Sequence, residues 1–455
     1  MELKRQLGLA SAALIIVADM IGTGIFVITG GILGITGSSA ATLGLWLAGG
    51  LAAITGALCY AELATMWPGN GGEYLYLRKI YGRLPAFLTG WISLTVGFTA
   101  SVAATALTLV WYLGVFVVDF YPDSFLASAG GQKAAAAGVI VFFGLVHIAG
   151  VKRGGLLQNI LTGLKLLIVA VFIVWGLAAA DFSNGDRLTS GSLKGIGEYG
   201  LALLIVMFAY SGWNGATYIA GEIKNPERTL PRAMFIGVGV VALLYFLLNV
   251  VFLLSAPSDA LAGSDVIAAV AAENLFGSRA AELLSLGIAL VLFSAVSVQM
   301  MVGPRVYHAM AGDGLLFPFF GKLSRFDTPA PAILVQTVIA VTYVLIGRDN
   351  IDMLLSYIGF ALSVFPLMSV IGLSIMRLRQ PAAPRPFKVP FFPLTPAIYI
   401  LLTIGMMTAS LCIWTNTSLV ALAVLAAGVG IYFVWQRLAG KCAEEEKGDG
   451  QTNRD

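Results

Sequence analysis

Two short runs of glycine and small polar residues interrupt long apolar stretches of this chain. One run is "IGTGIF" at 21–26, and the other is "SGWNG" at 211–215. Glycine weakens a helix because it loses more backbone entropy on folding than other residues. Serine and asparagine weaken a helix because their side chains compete for its backbone hydrogen bonds. In lipid this weakness is costly, since every unpaired N–H or C=O costs several kcal/mol. The two runs therefore predict two broken helices whose backbone groups line a cavity.

Free backbone groups at a helix break can bind the charged ends of a small solute. The half-helix after Gly24 begins with free N–H groups and a positive dipole end, which favour a carboxylate. The half-helix that ends at 208–211 offers free carbonyls, which favour an ammonium. Together they could hold both ends of an α-amino acid. Close packing of helices through small residues is the alternative, and it explains other glycines such as Gly49, Gly50 and Gly56.

The composition predicts the class of protein that holds these breaks. The chain has 455 residues, 58% of them hydrophobic and 11% charged, and its mean hydropathy is +0.88. Soluble domains carry about 25% charged residues, and a helix needs about 20 apolar residues to cross a bilayer. Twelve apolar spans are predicted, with starts near Gly8, Ala40, Leu84, Ala134, Leu156, Leu201, Ala233, Leu283, Ala332, Met353, Pro393 and Leu419. We expect an all-α membrane protein whose first span is not cleaved as a signal peptide.

Loop charges predict how the spans are oriented. With a cytoplasmic N-terminus, most basic loop residues lie inside, as the positive-inside bias requires. These residues are Lys4, Arg5, Arg78, Lys79, Arg83, Lys152, Arg153, Lys224, Arg228, Arg232, Lys322, Arg325, Arg377, Arg379, Arg385 and Lys388. An even number of spans then places both termini in the cytoplasm of a cell whose plasma membrane, the inner membrane in a bacterium, holds the protein.

The predicted organisation is a single transporter domain over 1–440. The two breaks fall in spans one and six, which are equivalent positions if residues 7–180 and 199–378 are inverted repeats. Paired glycine-interrupted spans of this kind indicate the central site of a transporter. Spans eleven and twelve follow at 391–438, and the polar segment 441–455 is predicted to be a disordered cytoplasmic tail.

Four stretches resemble a known family. They are "IGTGIF" at 21–26, "CYAELATMWPGNGGEYLYLRKIYG" at 59–82, "FAYSGWNGATYIAGEIKNPERTLPRA" at 208–233 and "AGDGLLFP" at 311–318. They are similar to the amino acid–polyamine–organocation superfamily and, within it, to the L-type branch of neutral amino acid exchangers. The resemblance implies the five-plus-five inverted-repeat fold of the bacterial leucine transporter, with discontinuous helices one and six.

The resemblance also implies a substrate site. The substrate carboxylate would be held by the backbone of Thr23, Gly24 and Ile25, and the amine by carbonyls at the second break. Phe208 and Trp213 would be the gate and a wall of the site. The complete set of predicted binding residues is Ile21, Thr23, Gly24, Ile25, Phe208, Ala209, Ser211, Trp213 and Asn214.

Lys165 is a basic residue inside the fifth apolar span. An intramembrane lysine needs a partner or must extend to the nearest membrane surface. In the family that the chain resembles, a lysine here approaches the break of span one and replaces a sodium ion of related transporters, which implies sodium-independent transport. Ser294 and Ser297 are possible neighbours, although a serine in a span commonly bonds to its own helix.

Asp19 departs from the pattern of the exchangers, which carry a small or hydroxyl residue there. An intramembrane acid indicates function by default. Asp19 could pair with Lys165, carry a proton, or bind a cationic substrate. A carboxylate satisfied at the cytoplasmic mouth is the structural alternative.

The predicted function is sodium-independent exchange of neutral L-amino acids by alternating access. Small to medium side chains are favoured because Ser211 stands where large-neutral exchangers carry glycine. The alternatives are proton-coupled symport, transport of cationic amino acids or polyamines through Asp19, and an amino acid receptor on a transporter fold. No enzyme activity is expected, and no cofactor, metal or nucleic acid.

The cysteines bear on partners. Cys59, Cys412 and Cys442 are too scattered for a disulfide framework or a metal site, and the outside loop 119–133 has no cysteine. In the family that the chain resembles, such a cysteine joins animal transporters to a heavy chain. We therefore expect no disulfide-linked heavy chain, and a protein that functions as a monomer.

Overall fold

The computed structural model describes residues 4–182, 194–264, 266–346, 348–413 and 415–452, and over these ranges the chain is helical. The first three residues of the predicted domain and the last three of the predicted tail lie outside the described residues. The one isolated β-bridge in these ranges is parallel and joins Leu7 to Ile223. The prediction of an all-α chain is therefore confirmed for the part that the structure describes.

The α-helices are numbered in chain order. The first eight are α1 Leu9–Met20, α2 Gly24–Thr36, α3 Ser39–Met66, α4 Glu73–Tyr81, α5 Arg83–Ile92, α6 Thr99–Phe120, α7 Ala129–Ile148 and α8 Val151–Ala179. The others are α9 Ile196–Ala209, α10 Pro226–Ser255, α11 Ser258–Leu261, α12 Ile267–Phe276, α13 Ser278–Gly312, α14 Ala330–Ile346, α15 Arg348–Arg379, α16 Leu394–Ile413 and α17 Thr415–Thr452. Short non-α turns are Ser93–Gly97 (π-helical) and Phe125–Ala127, Gly215–Glu222 and Pro318–Gly321 (3-10).

Nine helices among the described residues are long and apolar enough to cross a membrane, and the bent pair α1–α2 would make ten. This establishes a multi-span membrane protein, with fewer spans of full length than the twelve predicted. Two of the predicted spans correspond to short apolar helices, α9 and α14. For α9 the reason is local, because the helix stops at the second glycine-containing run.

The first predicted break is confirmed. Helix α1 ends at Met20, α2 begins at Gly24, and the two axes are bent by 44°. Between them Ile21 has left the helical region, with φ −79° and ψ 89°. Gly22 and Gly24 weaken the helix on both sides of Thr23, so the interruption follows from the residues themselves.

The second predicted break is also confirmed. Helix α9 ends at Ala209, and the chain then turns through Ser211–Asn214 into the 3-10 segment that begins at Gly215. Gly212 has a φ of +94°, a conformation that residues with a side chain rarely adopt. The sequence "SGWNG" therefore provides a glycine at the turn that requires one.

The two breaks are brought together by packing between distant helices. Helix α10 packs along both α1 and α3, and α9 packs against α2 and α16. Tyr210, Tyr245 and Trp46 form an aromatic cluster behind the second break, with ring centroids 5.1 to 5.8 Å apart. Large buried rings are rigid and contribute much of the apolar contact area. The cluster thus fixes the ends of α9 and α1 relative to α3.

Buried ion pairs hold the helices at one end of the bundle. Glu62 near the end of α3 accepts hydrogen bonds from Arg377 (3.0 Å) and from the backbone N–H of Val389 (2.7 Å). Glu222 accepts from Arg305 at 2.8 Å, and both side chains are almost fully buried. Breaking such a pair leaves an uncompensated buried charge, which is strongly destabilising. These pairs fix the segments that surround the second break.

Helix α17 extends through the segment for which the composition predicts disorder. It runs from Thr415 to Thr452, so the polar residues after Lys441 continue the last apolar helix.

Candidate functional site

The start of α2 presents free backbone N–H groups. Within the described ranges, no backbone or side-chain acceptor is recorded for the amides of Thr23, Gly24 and Ile25. The next amide, that of Phe26, already donates to the Thr23 carbonyl at 3.0 Å. Gly22 and Thr23 are only half-buried, so the group is reachable. Free amides at a helix N-terminus can bind an anionic group such as a carboxylate.

The end of α9 presents backbone carbonyls opposite these amides. The Phe208 carbonyl accepts from the Ser211 amide at 3.1 Å. The Ala209 carbonyl accepts from the Tyr245 hydroxyl at 3.0 Å. No donor to the Ser211 carbonyl is recorded in the part of the chain that the structure describes. The acceptors predicted to meet an ammonium are therefore present, and two of the three already accept at least one hydrogen bond.

The two breaks touch each other. A Cβ atom at Gly24 would lie 2.9 Å from the Cβ atom of Ala209 and 3.0 Å from its Cα atom. A Cβ atom at Gly212 would lie 2.7 Å from the backbone carbon of Asp19. Real Cβ atoms essentially never approach other atoms this closely, so glycine is required at both contacts. Residues far apart in sequence thus meet at the two runs that the sequence singles out.

A cavity of about 100 Å³ lies beside the second break. Four of the predicted site residues line it: Phe208, Ser211, Trp213 and Asn214. The other five, namely Ile21, Thr23, Gly24, Ile25 and Ala209, do not line it. Gly24 and Ala209 are in close contact where the two breaks meet.

The rest of the lining comes from several helices. The π-helical turn supplies Ser93 and Gly97, and such turns are frequent at functional sites. The remaining lining residues are Asp19, Glu73, Phe98, Ser101, Gly212, Tyr218, Gln299, Leu362 and Pro366. Two carboxyl groups thus face a cavity that otherwise carries hydroxyls, amides and apolar side chains.

Lys165 lies at the first break, not at the end of its helix. Its side chain is fully buried, and Nζ donates to the carbonyls of Ala18 (2.9 Å) and Ile21 (2.6 Å). These are carbonyls at the C-terminal end of α1, which a helix end leaves unpaired. The ammonium therefore satisfies carbonyl acceptors at the first break. Extension to the membrane surface, the alternative reading of this residue, is wrong.

Ser294 and Ser297 are not partners of Lys165. The Ser294 hydroxyl accepts from Gln158 at 3.1 Å, and Ser297 is hydrogen-bonded to His147 at 3.1 Å. Both serines instead connect α13 to neighbouring helices.

Asp19 is on the last turn of α1 and faces the second break. Among the described residues its carboxylate makes no hydrogen bond and no direct salt bridge, although the buried charge of Lys165 is close enough to interact with it electrostatically. Its Oδ2 atom lies 2.8 Å from the point where a Cβ atom at Gly215 would be. Asp19 thus has unused acceptors beside the cavity.

Glu73 is the second carboxyl group of the cavity, and it is the first residue of α4, outside the membrane-spanning helices. It accepts hydrogen bonds from Tyr218 (2.7 Å) and from Asn214 (2.9 Å). Burial raises the pKa of Glu73 to about 7, although these two hydrogen bonds oppose the shift. Glu73 therefore exchanges a proton near neutral pH.

Trp213 is part of the wall. Its ring contacts the rings of Tyr60 at 4.7 Å and Tyr399 at 5.8 Å between centroids. A Cβ atom at Gly56 would lie 3.1 Å from the Trp213 ring, so the ring packs closely on α3. Trp213 thus forms part of the lining of the cavity.

Several residues of the site were not predicted, and three of them carry polar groups that the argument uses. Tyr245 on α10 donates its hydroxyl toward both the Met20 carbonyl (2.6 Å) and the Ala209 carbonyl (3.0 Å), and so connects the two breaks. Glu73 and Gln299 face the cavity from α4 and α13. Tyr245 is a polar aromatic in an apolar span, which is a weak signal, and Glu73 stands inside a stretch already singled out by resemblance.

Comparisons with known proteins identify similar chains. Residues 7–435 match the amino acid permease family. The chain is 35% identical to the human b(0,+)-type amino acid transporter 1 over 398 residues, which cover 86% of this chain and 79% of that protein. It is 32% identical to the serine/threonine exchanger SteT of Bacillus subtilis, with 95% and 97% covered, and 32% identical to the human large neutral amino acids transporter small subunit 2, with 95% and 81% covered.

Proposed function

Because this chain belongs to the amino acid permease family, and is thus an amino acid transporter of the exchanger branch and not an enzyme, we propose that it exchanges neutral L-amino acids without sodium. The observation that carries the proposal is the set of free amides at Thr23, Gly24 and Ile25, opposite the carbonyls that end α9. These groups would bind the carboxylate and the ammonium, which all α-amino acids share.

The proposed architecture has twelve spans, with 7–180 and 199–378 as inverted repeats. Counting α1–α2 as one span and adding α9 and α14, each completed by its neighbouring turns, gives twelve. Both termini would be cytoplasmic, in the plasma membrane, as the loop charges favour. The protein would function as a monomer without a disulfide-linked heavy chain.

Alternating access would work through the contact between the breaks. At Gly24 and Ala209 the half-helices α2 and α9 are in close contact. Substrate binding would separate the two half-helices, and rocking of one repeat against the other would then expose the site to each side in turn.

The fixed cation of Lys165 supports sodium independence. Its ammonium already occupies the carbonyls at the end of α1, and it cannot leave with the substrate. A sodium ion would need the same acceptors. The small volume of the cavity beside the second break, about 100 Å³, supports amino acids with small to medium side chains as substrates. Ser211 and the Trp213 ring are part of its lining.

An exchange assay tests the proposal. Purified protein in liposomes preloaded with unlabelled serine, alanine or leucine should take up the same labelled amino acid, and replacing sodium by choline should not change the rate. Empty vesicles should show little uptake. The assay should be run at pH 6 and pH 8, because the pKa of Glu73 is raised to about 7.

Two outcomes would contradict the exchange proposal. Accumulation in empty vesicles driven by a pH gradient alone would identify a proton symporter, with Asp19 or Glu73 as proton carrier. Saturable binding with no uptake under any condition would identify a receptor.

A cationic substrate is the second candidate, and one observation favours it. In the described ranges the Asp19 carboxylate accepts no hydrogen bond and makes no direct salt bridge, and the buried Oε1 atom of Gln299 accepts no hydrogen bond either. Both line the cavity, where they could accept hydrogen bonds from an ammonium or guanidinium group. With Asp19 and Lys165 charged, ionisation of Glu73 above its pKa of about 7 gives the site one excess negative charge, which a dibasic amino acid would neutralise.

The variant Asp19→Asn separates the two candidates. If cationic side chains bind, L-lysine and L-arginine should inhibit uptake of a labelled neutral amino acid, and inhibition should weaken about tenfold or more in Asp19→Asn, since hydrogen bonds to charged groups contribute about 1.5–3 kcal/mol. The control Asp259→Asn removes an exposed carboxylate and should change nothing. If substrates are neutral only, neither dibasic amino acid should inhibit any of the three proteins.

A further inference from the structure

A large groove lies on the outer surface of the helix bundle, well away from the candidate substrate site. It has a volume of about 750 Å³, within the range of about 300–1,000 Å³ that is common for ligand sites. Helix α3 forms one wall, the first turns of α10 form another, and the segment 386–391 with the start of α16 forms the third. Both α10 and α16 pack against α3, so the groove lies between two elements that share one support.

The walls of the groove are apolar and open to the surroundings. Phe235 is 57% exposed, Phe391 81% and Leu394 61%. Leu51 and Ile54 on α3 continue the apolar surface along the direction of the spans. In a membrane protein an exposed apolar wall of this kind faces acyl chains, which have the matching chemistry.

The groove is preformed. The segment that supplies Phe387 and Phe391 is held by Glu62, which accepts hydrogen bonds from the Val389 amide and from Arg377. The Arg377 guanidinium also lies over the ring of Phe392, 4.1 Å from its centroid. The third wall is therefore anchored to α3 by a buried carboxylate, and it does not depend on a ligand for its position.

Two unpaired arginines lie at one end of this apolar groove. Arg228 and Arg232 both line it, and they are four residues apart on α10, so they project from the same face of the helix. Both are exposed, and no hydrogen bond or ion pair of either side chain is recorded among the described residues. Glu227 is the one acidic residue of the lining, so two arginines against one glutamate leave a net charge of +1.

We propose that this groove binds an anionic phospholipid, with its phosphate at Arg228 and Arg232 and an acyl chain along Phe235, Leu51, Ile54 and Leu394. The guanidinium fork matches phosphate oxygens, and basic pockets beside membrane helices bind anionic headgroups. The two arginines and the apolar walls together favour an anionic lipid over other ligands. A zwitterionic lipid would leave the arginines without a net countercharge, and a soluble anion would leave the apolar wall unused.

The position of the groove connects the lipid to the transporter. Helix α10 also carries Tyr245, whose hydroxyl connects the two breaks, and α3 supports the aromatic cluster behind them. A lipid held between α10 and α16 would therefore contact both α10, which carries Tyr245, and α16, the second-last helix of the chain. The site itself is independent of the proposed substrate, because its test measures lipid and not transport.

Lipid retention tests the proposal. The full chain is reconstituted in vesicles of phosphatidylcholine with a minor fraction of phosphatidylglycerol, extracted in mild detergent, and the lipids retained per protein are measured by mass spectrometry. Phosphatidylglycerol should be enriched over its fraction in the vesicle. The double variant Arg228→Gln/Arg232→Gln should lower this enrichment about 25-fold, since each basic residue near an anionic headgroup contributes about fivefold.

Matched variants separate the groove from general basicity. Lys322→Gln/Arg325→Gln removes two exposed charges from another loop and should keep the full enrichment. Arg228→Lys/Arg232→Lys keeps both charges and should keep most of it. Washing with inorganic phosphate should not release the lipid, because the acyl chain adds to the binding.

Three results would overturn the proposal. The first is a wild-type protein that retains the two lipids in the proportion of the vesicle. The second is equal retention by the two double glutamine variants. The third is complete release by inorganic phosphate, which would identify a site for a free anion. Monodisperse size-exclusion profiles of all variants ensure that the comparison concerns folded protein.

Discussion

Replacing Lys165 with methionine should reduce exchange by about 100-fold or more while leaving the amount of folded protein nearly unchanged. The ammonium makes two hydrogen bonds to backbone carbonyls at the end of α1, and a hydrogen bond to a charged group contributes about 1.5–3 kcal/mol. The loss of two is about 3–6 kcal/mol, and each 1.4 kcal/mol corresponds to about tenfold. Methionine is unbranched and only one atom shorter than lysine, so it keeps most of the packing of the side chain.

The loss should appear in transport and not in folding. The lysine carries a desolvation cost in its buried position, and this cost offsets much of what its hydrogen bonds contribute to stability. The carbonyls of Ala18 and Ile21 would then be unpaired beside a break that is already irregular. The first half-helix would lose its fixed orientation, and with it the alignment of the amides that follow at Thr23.

Lys133 provides a matched control. Its ammonium also donates to a backbone carbonyl, that of Leu345 at 3.0 Å, but the bond is exposed. Lys133→Met should transport like the wild type in the same vesicles. If Lys165→Met lowers only the amount of protein, and the remaining protein exchanges at the normal rate, Lys165 is a structural residue and the sodium-substitute role is wrong.

Replacing Gly24 with alanine should reduce exchange by about 10- to 100-fold. The added Cβ atom would lie 2.9 Å from the Cβ atom of Ala209 and 3.0 Å from its Cα atom, so α2 and α9 must move apart. A displacement of about 1 Å between binding groups can cost about 100-fold in rate. The amides of Gly24 and Ile25 and the carbonyls at the end of α9 would lose their mutual alignment.

Gly31 lies on the same helix and gives the control for Gly24. A Cβ atom at Gly31 would meet nothing within 4 Å. Gly31→Ala should therefore have normal exchange and equal or slightly higher thermal stability, because alanine has the higher helix propensity. Equal exchange rates for the two alanine variants would mean that the contact between the breaks has no part in transport.

The breaks could be predicted from sequence because their cause is local. Gly22, Thr23 and Gly24 are consecutive residues of low helix propensity in an apolar stretch, and Gly212 stands where the backbone adopts a positive φ. No information about distant residues is needed to place the ends of α1 and α9. For Lys165, in contrast, it is the resemblance that predicts a position near the first break, and its ammonium donates to the Ile21 carbonyl there.

The composition of the cavity could not be predicted, because it depends on which helices meet. Glu73 enters from α4, Gln299 from α13 and Tyr245 contributes its hydroxyl from α10. Each is separated from the breaks by tens of residues or more, and its polarity alone does not say which neighbour it faces. The contact of Gly24 with Ala209 could not be predicted either, because each glycine-containing run could have packed against another helix.

The count of spans was less predictable than their existence. Hydropathy detects α9 and α14 as apolar stretches, but α9 is shortened by the break and α14 has only 17 residues. A helix that stops inside the membrane must rely on its neighbours for the rest of the crossing.

A structure of the protein with a bound amino acid, chosen from those that support exchange, tests the central claim most directly. We predict a carboxylate oxygen within hydrogen-bonding distance of the amide nitrogens of Thr23, Gly24 and Ile25, and the ammonium at the carbonyls of 208–211. We also predict that Ala209 moves away from Gly24 to admit the substrate. A bound amino acid with its carboxylate on a side chain elsewhere, and with Gly24 still in contact with Ala209, would contradict the claim.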